Sequence, residues 1–350
     1  MKKLLFVYNP KSGKGQIKFH LSTILEVFAA AGYDITVYPT KSVLDGCQAV
    51  QERAGEFDRI ICSGGDGTLD EVVTGLMHSG HRRTIGYIPA GSTNDFAVSI
   101  GISRHMEQAA REAVSDEIFS CDIGRFNDDY FVYVAAFGVF TSVSYQTDQE
   151  LKNVLGHAAY IIEGVKQVGS WKSYSMKIES EEFSDEGKFI YGMISNSNSV
   201  AGIKGLPGKN IELNDGYFEV MLVREPQNLT DFPEIVAALL TQDETSRNVV
   251  RFKTKKLTIT SEEPVAWTRD GENGGQHTTV ELENLQEVLE IAVPGQNTAS
   301  EDTAAAKPEA VSEAEDELPE LGILSDSEII SEEEFAELLS IEQPEEVEQA

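Results

Sequence analysis

Ser63-Gly64-Gly65-Asp66-Gly67-Thr68-Leu69-Asp70-Glu71 is the segment whose residue types most directly suggest chemistry. Three glycines within four positions let backbone amides come close to an anion, and Thr68 is placed to cap a following helix whose amino-terminal dipole favours phosphate. Two further turns have a related make-up. Asn9-Pro10-Lys11-Ser12-Gly13-Lys14 joins a permissive glycine to the positive charge of Lys14, and Pro89-Ala90-Gly91-Ser92-Thr93-Asn94-Asp95-Phe96 joins a glycine to hydroxyls and a carboxylate. Taken singly these two are ordinary turns, whereas Gly-Gly-Asp-Gly-Thr between a strand and a helix points to nucleotide binding. The pattern GxxxxGK[ST] is absent and no GxGxxG follows the first apolar run, so neither a P-loop nor a dinucleotide-binding turn is signalled.

The elements that would position these turns alternate. LLFVY, DITVY, RIICS and TIGYI are predicted strands; FHLSTILEVFAAAG, ended by Gly32, and LDEVVTGLMHSG are predicted helices between them. A β-α-β-α order implies a mostly parallel sheet with helices on both faces, and such sheets gather ligands at the carboxyl ends of their strands. All three turns follow strand ends, so the sheet can bring them to one edge.

After Cys121 the rhythm changes. DIGRF, the turn Asn127-Asp128-Asp129 and YFVYVAAFGVF predict a hairpin, and SYSMKIESE, KFIYGMISN, YFEVMLV, KKLTITS and QEVLEIAV continue as strands. Two helical interludes are predicted, near Ala158 to Val168 and Asp231 to Leu240. The expectation is an α/β nucleotide-binding domain over 1–121 and a strand-dominated domain over 122–296.

Residues 297–350 are rich in Glu, Ala, Ser and Pro and predict a disordered acidic tail. Within it, SDSEIISEEEFAELLSI spaces Ile329, Ile330, Phe335, Leu338 and Leu339 for a short amphipathic helix capped by Ser325 or Ser327, either a transient helix or a docking segment for a partner or for the protein's own body. From Glu301 onward there are 18 acidic residues and one lysine, a net -17 of the total -31; the other 300 residues carry -14. That charge argues against a nucleic-acid partner. No run approaches the about 20 apolar residues that cross a bilayer, and Met1 to Tyr8 meets Asn9-Pro10 without a cleavage site, so it reads as a strand rather than a signal peptide. Cys47, Cys62 and Cys121 show no metal-ligand spacing and suit a reducing cytoplasm as buried small residues.

NPKSGKG, GGDGTLDEVVTG and PAGSTNDFA, in this order and spacing, resemble the diacylglycerol kinase catalytic domain family of lipid kinases, which includes bacterial diacylglycerol kinases and sphingosine kinases. The resemblance extends from Lys3 to about Pro294. It implies an α/β domain with an NAD kinase- and phosphofructokinase-like architecture, a following β-sandwich domain for the lipid, and ATP and acceptor meeting between them.

Residue by residue, the resemblance implies nucleotide contacts at Asn9, Pro10, Lys11, Ser12, Gly13 and Lys14, at Thr40, at Gly65, Asp66, Gly67, Thr68, Leu69, Asp70 and Glu71, and at Ser92, Asn94 and Asp95. Asp66, Asp95 and Asp122 would organise Mg²⁺ on ATP, with Lys14 balancing charge. Leu213-Asn214-Asp215-Gly216-Tyr217-Phe218 resembles the family's loop for a structural Mg²⁺, with the Asp215 side chain and the Glu212 and Tyr217 carbonyls as ligands; read without the family it is a β-turn. Asp270-Gly271-Glu272 resembles the family's DGE element. Glu272 is the first candidate to take the proton of the acceptor alcohol and Asp270 the second, although Asp-Gly between strands is also a hairpin turn.

The activity implied is ATP- and Mg²⁺-dependent phosphorylation of a lipid hydroxyl, with diacylglycerol leading and sphingoid bases, other lipid alcohols or NAD as alternative acceptors; a nucleotide-binding regulator without turnover is the alternative from another class. A lipid acceptor implies a cytoplasmic protein in peripheral, reversible contact with membrane. Monomer and homodimer both remain open.

Overall fold

Strands buried on both faces read as unbroken apolar runs, and β1 (Lys2–Tyr8) buries Leu4, Leu5, Phe6 and Val7 in succession. The computed structural model describes residues 1–138, 172–200, 203–204, 207–208, 211–228, 231–241 and 245–295. The helix expected near 158–168, the last two residues of YFVYVAAFGVF and the whole acidic segment with its amphipathic stretch lie outside the described residues.

β2 (Tyr33–Pro39), β3 (Arg59–Gly64) and β4 (Thr84–Pro89) join β1 in a parallel set ordered β4-β3-β1-β2. The connecting helices are α1 (Ile17–Ala30), α2 (Asp45–Arg53) and α3 (Asp66–Ser79), followed by α4 (Asp95–Ser99) and α5 (Met106–Ala113). Right-handed crossovers put α1 on one face and α2 and α3 on the other, in keeping with the packing of α1 on α5 and of α2 on α3. Gly75 permits the second contact, because a methyl group there would stand 2.3 Å from the Cys47 carbonyl oxygen. Cys62 and Cys121 are buried as expected, while Cys47, on α2, is only half-buried.

The strand-rich second half is present. It comprises β5 (Ile118–Phe126), β6 (Asp129–Phe131), β7 (Val134–Gly138), β8 (Tyr174–Glu179), β9 (Ser184–Ser195), the short pair β10 (Ser199–Val200) and β11 (Ile203–Lys204), β12 (Phe218–Arg224), α6 (Asp231–Thr241), β13 (Val249–Thr254), β14 (Lys256–Arg269) and β15 (Glu272–Ala292). Its strands are continuous with the first set: Ile291 of β15 pairs with Ile85 of β4, giving one sheet of 13 strands among the described residues. The position chosen for the domain boundary, Cys121, falls inside β5, which pairs with β15.

At the other end of β15 the chain reverses through Asp270 (φ 47°) and Gly271 (φ 83°). Two successive positive φ values match the twist of a tight hairpin, so Asp-Gly here forms the turn its composition favours and delivers Glu272 as the first residue of β15. Behind the turn Trp267 packs edge-on against Phe126 (5.2 Å between ring centres) and at a tilt against Phe137 (4.9 Å), and Gly192 leaves the space that the Phe137 ring fills.

Trp267→Ala should cost about 3–5 kcal/mol of stability, read by urea unfolding, because the cavity opens among rings held by paired strands. A loss below about 1 kcal/mol would contradict the packing described.

Candidate functional site

The carboxyl ends of β1, β3 and β4 bring the three turns into contact. Asn9 N donates to Ser63 O at 2.9 Å and Ala90 N to Gly64 O at 2.7 Å. A methyl group on Gly13 (φ 54°) would lie 2.3 Å from Ala90 O, and one on Gly91 would lie 2.6 Å from Gly65 Cα, so both positions accept only glycine without displacement of backbone. Within the first turn, which passes Pro10, Lys11 and Ser12 into a short 3-10 segment, Asn9 Oδ1 accepts Lys11 N at 2.9 Å. Thr40 is tied to the same edge through Thr40 N to Tyr8 O at 2.9 Å.

α3 begins at Asp66 with Gly65 as its cap and no side chain bonding its first amides. The expectation that Thr68 caps this helix is corrected: Thr68 lies in the first turn, its amide donates to Gly65 O, and its buried side chain rests against Gly64. The helix start therefore keeps amides for an anion, with the dipole adding to the attraction. Leu69 is buried in the hydrophobic core, so its side chain cannot meet a ligand. Glu71 is drawn elsewhere: Leu44 N and Gly46 N donate to its two oxygens at 2.8 and 3.0 Å, so it closes the start of α2.

In the third turn Asn94 clamps the loop, accepting Gly91 N (2.8 Å) and donating to Gly91 O (2.9 Å), while Ser92 is exposed at the tip. Asp95 is buried and accepts the Ser199 hydroxyl at 2.6 Å, a contact between the two halves of the chain. Asp66 accepts Thr93 Oγ1 (3.2 Å) and Asp95 N (3.3 Å). Burial first, and then the neighbouring charge of Asp95, push the Asp66 carboxyl up to about 6. Two acidic groups this close beside a phosphate seat suit a divalent cation arriving on a triphosphate.

Glu272 reaches this group of turns from the far half of the sequence. A methyl group on Gly67 would lie 2.9 Å from Glu272 Oε1, so the carboxylate rests against the first turn of α3. Its neighbour Asp270 is engaged otherwise: the buried carboxylate accepts the amides of Val132 (2.5 Å), Tyr133 (3.0 Å) and Val134 (2.9 Å). Burial and then the nearby Asp270 charge hold the Asp70 carboxyl well above the usual range. This pair, the cap made by Glu71 and the hydroxyl of Ser199 were not foreseen from sequence.

Asp122 does not join the other two acids. Its carboxylate accepts Gly216 N (2.7 Å) and Glu287 N (2.8 Å), bracing the Leu213–Tyr217 loop instead of the nucleotide turns. In that loop Asp215 Oδ1 accepts Tyr217 N at 2.9 Å, and its other oxygen lies 3.1 Å from Lys253 Nζ, which is also 2.9 Å from Glu219. The charge that a hard cation would neutralise at Asp215 is thus met by an ammonium. Among the described residues no three His, Cys, Asp or Glu side chains gather to hold a metal, and the exposed Glu212 adds no side-chain bond to the loop.

Residues 3–126 match the family described as Diacylglycerol kinase catalytic domain. The chain is 33% identical over 297 residues to the Diacylglycerol kinase of Bacillus subtilis (strain 168), covering 84% of this chain and 97% of that protein. It is 32% identical over 295 residues to the Diacylglycerol kinase of Staphylococcus epidermidis, covering 84% and 92%. The crystal structure of a diacylglycerol kinase from Bacillus anthracis str. Sterne superposes with a TM-score of 0.66 at 24% identity, over 84% of this chain and 97% of that one, and so shares its fold.

In a carbon-detected NMR titration the Asp66 carboxyl should show a midpoint near pH 6, and Asp95→Asn should lower it by removing a like charge. A midpoint at the ordinary aspartate value, about 3.9, unchanged by Asp95→Asn, would mean the two acids are not neighbours.

Proposed function

The chain belongs to the diacylglycerol kinase catalytic domain family and is a lipid kinase, and from that premise we propose that it transfers the γ-phosphoryl group of ATP to the free hydroxyl of diacylglycerol, giving phosphatidic acid and ADP. The observation that carries the proposal is the approach of Glu272 Oε1 to Gly67. It joins a carboxylate from the β14–β15 turn to the helix start suited to phosphate, which is what an alcohol needs to attack a phosphorus while losing its proton.

In this reading the triphosphate lies over the amides of Gly65 to Gly67, with Lys14 and the Asn9–Gly13 turn on one side and the Gly91–Asn94 turn on the other. The acceptor oxygen attacks the γ-phosphorus, its proton passes to Glu272, and ADP departs. Asp66 and Asp95 are the residues that would face Mg²⁺ brought in on ATP, and that ion would neutralise charge developing on the phosphoryl oxygens. Asp270, with three amides on its carboxylate, serves geometry rather than proton transfer.

Diacylglycerol as acceptor is supported by the relatives named Diacylglycerol kinase, which match over most of their length. Among the described residues no helix is long and apolar enough to cross a membrane; in this reading the substrate is met at the bilayer surface. Phe19 (84% exposed), Val43 (78%) and Leu44 (64%) lie on segments flanking the nucleotide turns, with Lys18 and Lys41 nearby in sequence, and supply side chains for such contact.

Purified protein with labelled ATP, Mg²⁺ and dispersed diacylglycerol should form labelled phosphatidic acid. Glu272→Gln should lower kcat by roughly 10²–10⁴-fold. Gly67→Ala should lower it too with the fold intact, since the methyl group meets only the movable end of the Glu272 side chain. Tight ATP binding without transfer would refute the reaction, and full activity in Glu272→Gln would refute the role of that residue.

A further inference from the structure

Within residues 195–199, Ser195, Asn196, Ser197 and Ser199 are each 2% exposed or less. Burying polar side chains costs free energy unless each finds a partner, and here the partners lie on both halves of the chain. Ser195 Oγ and Asn196 N both donate to the Tyr133 carbonyl, at 3.0 and 2.9 Å. The amide of that same Tyr133, with those of Val132 and Val134, donates to Asp270, two residues before Glu272. At its other end the segment meets α4. Ser197 Oγ lies 2.9 Å from Ser99 Oγ, and Ser199 Oγ donates to Asp95 Oδ1 at 2.6 Å. Ser197 Oγ also bonds both main-chain groups of Ser199, donating to its carbonyl (2.8 Å) and accepting its amide (3.2 Å), so a braced backbone presents the Ser199 hydroxyl.

These bonds close a circuit. Asp95 N and Phe96 N donate to the Asp66 carboxylate at 3.3 and 3.5 Å, Asp66 opens α3, and Gly67 beside it receives Glu272. Asp95 and Glu272 are thus joined twice, through the first turn of α3 and through residues 195–199. A carboxylate that is to meet a cation must keep its orientation, because rotation about its side-chain torsions carries both oxygens away. We propose that Ser199 is a positioning residue, its hydroxyl fixing the Asp95 carboxylate for the cation that ATP brings and holding it in register with Glu272. The proposal rests on the reading of Asp95 as a residue that faces Mg²⁺. Alanine at this position would keep the burial and lose the bond, so the hydroxyl is what the site requires.

The test uses the full chain with Ser199→Ala and Ser199→Cys, the second keeping the size of the side chain with a weaker donor. In mixed micelles of diacylglycerol, Ser199→Ala should raise the Mg²⁺ concentration for half-maximal rate by roughly 10–100-fold with the KM for diacylglycerol unchanged. Ser199→Cys should fall between it and wild type. Two readouts need no turnover. In calorimetry with a non-hydrolysable ATP analogue, Ser199→Ala should weaken binding in the presence of Mg²⁺ and leave binding without Mg²⁺ as in wild type. In hydrogen exchange without nucleotide, the amides of α4 should exchange faster in Ser199→Ala and those of β1 should not. A wild-type Mg²⁺ requirement in Ser199→Ala overturns the proposal, even where α4 exchanges faster, since the bond then serves stability alone. If Ser199→Ala shows no cooperative thermal transition, Ser199→Cys decides: a raised Mg²⁺ requirement supports the role, and the wild-type requirement overturns it. Should wild type transfer phosphate to no lipid, the kinase reading fails, and the analogue titration still decides the role of Ser199.

Discussion

Backbone crowding at one edge of the parallel sheet is the constraint on which the rest depends. Three turns can share the carboxyl ends of β1, β3 and β4 only if their main chains touch, and they do so where Gly13 meets Ala90 and Gly91 meets Gly65. Side chains at those positions would separate the turns and spread the amides that α3 leaves unbonded. The same requirement recurs at Gly67, where the missing side chain admits the carboxylate of Glu272. Absence of side chains thus shapes both the phosphate seat and its meeting with the acid.

An excess of acid around such a seat would repel a triphosphate, and the fold settles each carboxylate with a specific partner. Asp270 and Asp122 are held by backbone amides, Glu71 by the amides that open α2, and Asp215 and Glu219 by Lys253. Asp66 and Asp95 remain at the turns and Glu272 at the edge. Charged hydrogen bonds of this kind are among the stronger ones, so the acids that serve structure also stiffen the loops that serve chemistry.

What could be read from the chain follows the range of the interactions involved. Apolar runs, glycine turns and the Asp270-Gly271 reversal are local, and their composition marked them. α2 was not foreseen because Asp45 to Arg53 lacks a long apolar stripe; its start is completed by Glu71, 25 residues beyond Gly46. The partners of Asp122, Asp215 and Asp270 lie between 2 and 165 positions away, and the decisive ones are distant, so a motif that names an acid does not tell what it faces. Leu69 and Glu71 belong to the same glycine-rich motif as Asp66, yet helical rotation sends one to the core and the other to α2.

The single sheet raises a question of tolerance. β15 pairs with β4 near Ile291, about twenty residues from Glu272, and between them lie irregular pairings with β5 and β14 and a positive φ at Glu287. Register set at Ile291 cannot by itself fix a carboxylate at the opposite end of a strand that bends on the way. Positioning to within the fraction of an ångström that proton transfer demands has to be imposed close to the chemistry. The contacts available for that are the amides of Val132 to Val134 on Asp270 and the approach of the Glu272 carboxylate to Gly67 on α3. A buried carboxylate fastened by three backbone amides is the kind of linkage that ties the β14–β15 turn to the segment before β7 in one relative position.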